Sequence, residues 1–300
     1  MGLVVEARHL QKRYGDFVAV EDVSFSVEEG EIFGILGPNG AGKTTTVECL
    51  QGLRKADGGD LRVLGHDPRH EAAHLRRKIG SQLQESALPD RLKVWEALKL
   101  FSSRNPNGPP WEEVLEEWNL SEKRDAAFGS LSGGQQQRLF VALAVVNAPR
   151  LVFLDEMTTG LDPMSRRVTW DLIRQIRELG TTVVLVTHFM DEAENLCDRI
   201  AVIDDRRVVA LDTVDGLIQR YAGGAQVTFS TDLGDLGFLS RVEEVDGLER
   251  HGRRVTVTGH GALLARVAIA LAKQDVIPID LDVKRASLED VFLTITGGTD

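Results

Sequence analysis

The 300-residue chain holds only two cysteines, Cys49 and Cys197, both in segments that read as helices. So few thiols in a chain of this size exclude a disulfide scaffold, and two reduced, mostly buried thiols are expected. Long apolar runs are also missing. The longest, such as 141–146, fall far short of the ~20 residues that a spanning helix needs. The opening MGLVVEARHLQKRYG lacks the sustained apolar stretch of a signal peptide. The expectation is a chain that does not cross a membrane by itself, so that any transport it supports runs through another polypeptide. Positive charge is in deficit: 35 Lys and Arg stand against 46 Asp and Glu, a net charge of −11. Duplex binding calls for a basic patch or stripe, so nucleic acid is not an expected partner. No internal repeat or low-complexity tract is apparent.

What is present is an ordinary globular composition, 42% hydrophobic and 27% charged, at a length that suggests about two domains. Strand-like runs at 3–10, 23–27 and 31–36 lead into a glycine-rich loop and a helix over 42–50, with a further strand at 60–64. From about 84 to 148 the apolar period is helical, broken by NPNGPP at 105–110. Strand and helix then alternate: strand 151–154, helix 163–179, strand 182–187, a helix around 191–197, and strands near 200–203 and 208–211. Alternation of this kind predicts a largely parallel sheet covered by helices, with the central helical stretch as an inserted subdomain. A boundary is expected at 222–224. Beyond it come a strand (226–229), a short helix, a hairpin (242–248 with 254–258), a helix (262–274), a strand (277–283) and a final helix (288–295). The expected domains are therefore 1–221 and a small α+β module, 222–300.

Three stretches carry chemistry. Gly37-Pro38-Asn39-Gly40-Ala41-Gly42-Lys43-Thr44, followed by Thr45, matches the phosphate-loop pattern G-x-x-x-x-G-K-[ST]. Glycines let backbone N–H groups curl around phosphate oxygens, and the following helix points its positive end at them. Lys43 is expected to reach the β and γ phosphates, and the Thr44 hydroxyl to bind Mg²⁺. Leu151-Val152-Phe153-Leu154-Asp155-Glu156 is a buried-type strand ending in two acids. Asp155 is placed for the Mg²⁺ site, and Glu156 for orienting or deprotonating an attacking water. Leu131-Ser132-Gly133-Gly134-Gln135 opens a helix with a serine and two glycines, the makings of a second anion site. One compact chain with two such sites invites a ligand shared between copies.

These motifs resemble the ATP-binding cassette (ABC) family, whose signature is L-S-G-G-Q, over about residues 3–217. The resemblance implies an α/β P-loop NTPase fold with a mostly parallel sheet, an inserted helical subdomain (about 84–148) and the small C-terminal domain. It implies ATP and Mg²⁺ as cofactors, a second copy paired head to tail, and polytopic membrane permease subunits gripped near 85–101. The implied location is the cytoplasmic face of the membrane. Arginines outnumber lysines by 26 to 9, which hints at a GC-rich bacterial genome.

By the same resemblance Tyr14 stacks on adenine and Asp162, in Gly160-Leu161-Asp162, lies in the loop that crosses to the partner. His188 is the switch histidine, and Ser132 and Gly134, flanked by Gly133 and Gln135, reach the γ-phosphate from across the interface. Gln84 joins the Mg²⁺ ligands Thr44 and Asp155; Gln82 competes with it, and Gln-Glu-Ser fits the family pattern better at Gln84. Glu156, His188, Lys43 and Gln84 are the implied catalytic set. Taken alone, Tyr14 reads as a half-buried core tyrosine and His188 as a structural histidine. Met157 stands where the family usually has proline, which predicts a looser turn of little chemical consequence.

Two further stretches have plain readings. His66, His70 and His74 recur every four residues, yet Pro68 interrupts the run and Asp67 suits an N-cap, so a solvated helix face is expected rather than a zinc site. Ala286-Ser287-Leu288-Glu289-Asp290-Val291-Phe292-Leu293 reads as a final helix capped by Ser287. That ending also resembles the tail of daunorubicin-resistance-type ATPases that export drugs, antibiotics and lipids, which favours export over import. Soluble ABC-type ATPases of translation or DNA repair usually carry two cassettes, zinc-binding cysteines or long coiled coils, and none is visible here.

Overall fold

A computed structural model describes residues 2–82, 88–105, 108–222, 224–284 and 286–297. The chain divides into two compact units, Met1–Leu211 and Asp212–Asp300.

The first unit opens with a long hairpin of β1 (Leu3–Tyr14) and β2 (Phe17–Glu28), then β3 (Ile32–Leu36), α1 (Lys43–Leu50), β4 (Gly58–Val63), the one-turn α2 (Ala72–Leu75) and β5 (Ile79–Gln82). The helical region holds α3 (Val94–Ser102), α4 (Trp111–Glu117) and α5 (Gly133–Val145). Next come β6 (Leu151–Asp155), α6 (Pro163–Glu178), β7 (Thr182–Thr187), α7 (Met190–Leu196), β8 (Arg199–Asp204) and β9 (Arg207–Thr213).

The described strands of this unit make one sheet in the order β4-β1-β2-β9-β8-β3-β7-β6-β5. From β8 to β5 the neighbours run parallel, while β1 pairs antiparallel with both β2 and β4. Every residue of β3, β6 and β7 is buried, because helices cover both faces of the parallel half. That is why these strands read in the sequence as unbroken apolar runs. Phe25 and Phe33 stack at 5.1 Å within the core that joins the two halves of the sheet. Because β3, β6 and β7 are neighbours, the loops at their carboxyl ends meet on one edge, where α/β sheets bind ligands.

Two local expectations need correction. The histidine run is not one helix capped by Asp67: the chain turns through 66–71 and only Ala72–Leu75 is helical, preceded by Glu71. Asp67 instead grips Arg69, whose guanidinium holds that carboxyl down at about 2. The His66 and His74 rings meet edge-on at 4.6 Å, and His66 Nδ1 lies 2.9 Å from the Glu71 carboxylate. The strand β5 was also not expected. It is four residues long and half polar, too little for a periodic signal, yet Gly80 in it lets α5 approach so closely that a Cβ there would stand 2.0 Å from the Ala144 carbonyl oxygen.

The second unit contains α8 (Val214–Tyr221), β10 (Ala225–Ser230), β11 (Val245–His251), β12 (Arg254–Gly259), α9 (Leu263–Ala272), β13 (Ile279–Lys284) and α10 (Leu288–Ile295). Its antiparallel sheet runs β11-β12-β10-β13. Val227, Phe229, Val255 and Val257 pack against Leu263, Val267 and Leu271 of α9 in a separate core. α8, capped by the Thr213 hydroxyl, packs on α10; it lies ahead of the boundary expected at 222. Among the described residues, no helix is long and apolar enough to cross a membrane.

Candidate functional site

The loop between β3 and α1 is built around positions that exclude a side chain. A Cβ on Gly37 would sit 2.1 Å from the Ile203 carbonyl oxygen. Gly42 has φ 98°, and a Cβ on it would meet the Ala19 carbonyl oxygen at 2.5 Å. Such a loop keeps its backbone bare of side chains at the start of α1, the setting in which N–H groups at a helix start bind anions. Lys43, the first residue of α1, is buried, and its Nζ donates to the carbonyl oxygens of Gly37 (2.8 Å) and Pro38 (3.0 Å). Burial pulls the Lys43 ammonium below its usual range, while Glu156 and Asp155 oppose that.

The two acids end β6 in different surroundings. Burial pushes Asp155 up to about 6, against the Thr44 hydroxyl, which favours its charged form. Asp155 Oδ1 is sealed from solvent and has no hydrogen-bond partner among the described residues. A buried carboxylate oxygen of this kind beside a threonine hydroxyl is a hard-oxygen pair of the type that suits Mg²⁺. Glu156, one residue on, has left the strand with φ 48°, a left-handed conformation that costs a non-glycine residue energy. Its N–H donates to the Val186 carbonyl oxygen at 2.9 Å, which fixes the turn to β7. Glu156 Oε1 lies 4.0 Å from Lys43 Nζ and 3.3 Å from His188 Nδ1, without an aligned hydrogen bond to the histidine. His188 follows β7 directly and is held by the next residue, whose N–H donates to the Thr187 hydroxyl at 3.0 Å. Met157, which departs from the usual family proline at this position, is buried, and the turn is tied by Thr159 N to Glu156 O and Leu161 N to Thr158 O.

A cleft of about 340 Å³ is lined by Phe17, Ala19, Asn39, Gly40, Gly42, Lys43, Thr44, Thr45 and Glu156. The fold thus brings together most of the phosphate loop and Glu156, residues far apart in sequence. Tyr14 is not among the lining residues. It is 41% exposed, with Lys12 and Arg54 cations over its ring, and Phe17 faces it across the hairpin tip. Sequence reading missed Phe17; its signal was a large apolar residue at a hairpin tip, 56% exposed. Gln84 lies outside the described residues. Gln82, its competitor, is buried at the end of β5, paired with Leu154 beside the acids.

The Ser132 segment opens α5 as a reciprocal cap. Ser132 accepts from the Gln135 N–H, and the Gln135 side chain accepts from the Ser132 N–H at 3.0 Å. A Cβ on Gly133 would meet nothing within 4 Å, and one on Gly134 only the Ser165 hydroxyl at 3.9 Å, so this edge is open to an approaching group. Ser132, Gly134 and Gln135 line a second cleft of about 650 Å³ with Met164, Ser165 and Val168 of α6. Met164 is 70% exposed there, an apolar side chain facing solvent. Asp162 caps α6, accepting from the N–H groups of Met164 and Ser165 and from the Ser165 hydroxyl, which together lower its carboxyl. The two clefts share no lining residue.

Comparison with known proteins yields a consistent set. Residues 20–159 match the ABC transporter family model. A daunorubicin resistance ATP-binding protein of Streptomyces coeruleorubidus is 36% identical, the alignment spanning 99% of this chain and 96% of that protein. A Nod factor export ATP-binding protein of Burkholderia orbicola is 42% identical across 73% of this chain and 74% of its own length. Among solved structures, a chain from Clostridium perfringens that is part of an ABC transporter complex superposes with TM-score 0.66 at 25% identity, covering 73% of this chain and 92% of that one.

Proposed function

The chain belongs to the family of ABC transporter ATP-binding proteins, which hydrolyse ATP, and from that premise we propose that it powers an exporter through separate membrane subunits. The observation that carries the ATPase part of this reading is the placement of Glu156, which lines the phosphate-loop cleft, between Lys43 Nζ at 4.0 Å and His188 Nδ1 at 3.3 Å.

In the proposed site the loop N–H groups and Lys43 hold the β and γ phosphates. Lys43 releases the Gly37 and Pro38 carbonyl oxygens as it turns to them. Asp155 and Thr44, with Gln84, would hold Mg²⁺, which when bound would supply positive charge at the phosphate oxygens. Glu156 accepts a proton from the attacking water, and His188 aligns that water against Glu156. Tyr14 stacks on adenine, with Phe17 across the hairpin tip.

Ser132, Gly134 and Asp162 complete the site of a second copy. Two clefts without a common residue, one at the phosphate loop and one at the Ser132 cap, support that arrangement. Binding of ATP favours the paired state and hydrolysis releases it, a two-state cycle that a membrane partner converts into movement. Export of drugs, antibiotics or lipid-like molecules is drawn from what the relatives are called and from the ending around 286–293. The proposed location is the cytoplasmic face of a bacterial membrane.

The test is capture from native membranes with tagged Glu156→Gln protein and ATP. Co-purification of a polytopic membrane protein is expected. Recovery of ribosomes or DNA-repair proteins, with no membrane protein, would overturn the transporter reading and leave the ATPase chemistry standing.

A further inference from the structure

Glu192, on α7, has no exposed surface, less even than Asp155 at 2%. The mechanism above gives it no part. A carboxylate leaves water unfavourably unless donors surround it, so its neighbours indicate its purpose. Trp170 Nε1 of α6 donates to Glu192 Oε1 at 3.1 Å. The hydroxyls of Thr158 and Thr187 lie beside the same carboxylate. Burial pushes the Glu192 carboxyl above its ordinary range, and these three groups oppose that.

The three neighbours come from three segments. Thr158 is two residues past Glu156, Thr187 immediately precedes His188, and Trp170 lies in the helix that Asp162 caps. A second tie runs parallel to this one. Arg166 of α6 donates to Asp191 at 3.1 Å and covers the Phe189 ring at 4.4 Å, joining α6 to the residues around His188. The network is nevertheless incomplete: Glu192 Oε2 and Thr158 Oγ1 are both sealed from solvent without an aligned hydrogen bond. Two buried polar groups in that state favour any small movement that unites them. Thr158 belongs to the turn that follows Glu156, which is held in its left-handed conformation and tied by Thr159 N–H to the Glu156 carbonyl oxygen and by Leu161 N–H to the Thr158 carbonyl oxygen.

We propose that Glu192 is a positioning residue for hydrolysis, whose carboxylate ties the Glu156 turn, the His188 segment and α6 together and so sets the spacing between Glu156 and His188. It touches neither nucleotide nor water and acts through those two residues. The inference rests on the roles assigned to them under the proposed function.

The experiment compares ATP hydrolysis by the full-length chain as wild type, Glu192→Gln, His188→Ala and the double variant, with Thr158→Val and Glu156→Gln alongside. Glutamine keeps the shape and removes the charge. Glu192→Gln is expected to hold ATP affinity and KM within about threefold while lowering kcat at least about tenfold. Thr158→Val is expected to lower kcat in the same sense. Placed on His188→Ala, Glu192→Gln is expected to add less than about threefold, because both changes disable one unit. Unchanged kcat, a parallel loss in kcat and KM with a lowered melting temperature, or a full multiplicative loss in the double variant would overturn the proposal. Should Glu192→Gln fail to fold, Thr158→Val, which removes the hydroxyl beside the carboxylate, and Trp170→Phe, which removes its donor, carry the same comparison against His188→Ala. Wild-type rates for Glu156→Gln and His188→Ala would instead remove the underlying assignments, a distinguishable result.

Discussion

Asp155 and Glu156 are adjacent, yet the first has one carboxylate oxygen, Oδ1, sealed without a hydrogen-bond partner among the described residues, and the second is a strained turn residue between a lysine and a histidine. Their roles come from that difference, because an orphaned buried oxygen suits a cation and a poised carboxylate suits a proton. The same burial has a stability consequence. Asp155 holds its proton more tightly folded, at about 6, than unfolded, near its ordinary 3.8. An acid raised in the native state takes stability away as pH climbs through that interval. Asp155→Asn is therefore expected to stabilise the nucleotide-free chain by about 1–3 kcal/mol at pH 8, with the gain vanishing below about pH 4. Thermal melts of both proteins at the two pH values check this. At this scale the local motifs were legible, because Lys43, Thr44, Asp155 and Glu156 sit at fixed offsets in short patterns. Phe17 and Glu192 were not. An aromatic at a hairpin tip and a glutamate in a polar helix start carry no local mark of the cleft or the buried network they join.

Elements repeat that contrast. β3, β6 and β7 were visible as apolar runs since both faces are covered, and α5 announced its start through Ser132 and Gln135. Ser132→Ala removes the cap and is expected to cost about 1 kcal/mol of stability, measurable by denaturant titration. What failed was short. α2 is one turn long and its histidine period misled, while β5 was hidden by its polar content. The closeness of β5 to α5 depends on Gly80, which no pattern marks. Gly80→Ala forces a Cβ against backbone and is expected to cost about 3 kcal/mol. In a unit of this size that lowers the melting temperature by roughly 6–12 °C. A shift under about 2 °C would mean that the backbone there relaxes freely.

At the scale of the whole molecule the two units have separate cores, and the strand that leaves the large sheet runs directly into α8. The boundary expected at 222–224 rests on the small residues Ala222 and Gly224, whereas α8 packs on α10 near the other end of the chain, a pairing no local reading reveals. A chain cut after residue 211 is therefore expected to melt cooperatively. One cut after residue 221 keeps α8 without α10 and exposes Leu217, which is fully buried in the intact chain. Stronger binding of a hydrophobic dye by the longer fragment is the expected readout. Equal binding would show that α8 does not need α10.

In the proposed cycle one copy holds two half-sites, and ATP unites the phosphate-loop cleft of one copy with the Ser132 cleft of another. Sedimentation velocity of the full-length Glu156→Gln chain, with and without ATP, tests it most directly. Monomers are expected without nucleotide, and ATP-dependent dimers holding one ATP per chain with it; adding Lys43→Ala is expected to abolish dimerisation. A chain that binds ATP and stays monomeric, while the wild type hydrolyses ATP at a rate per molecule independent of concentration, would contradict it.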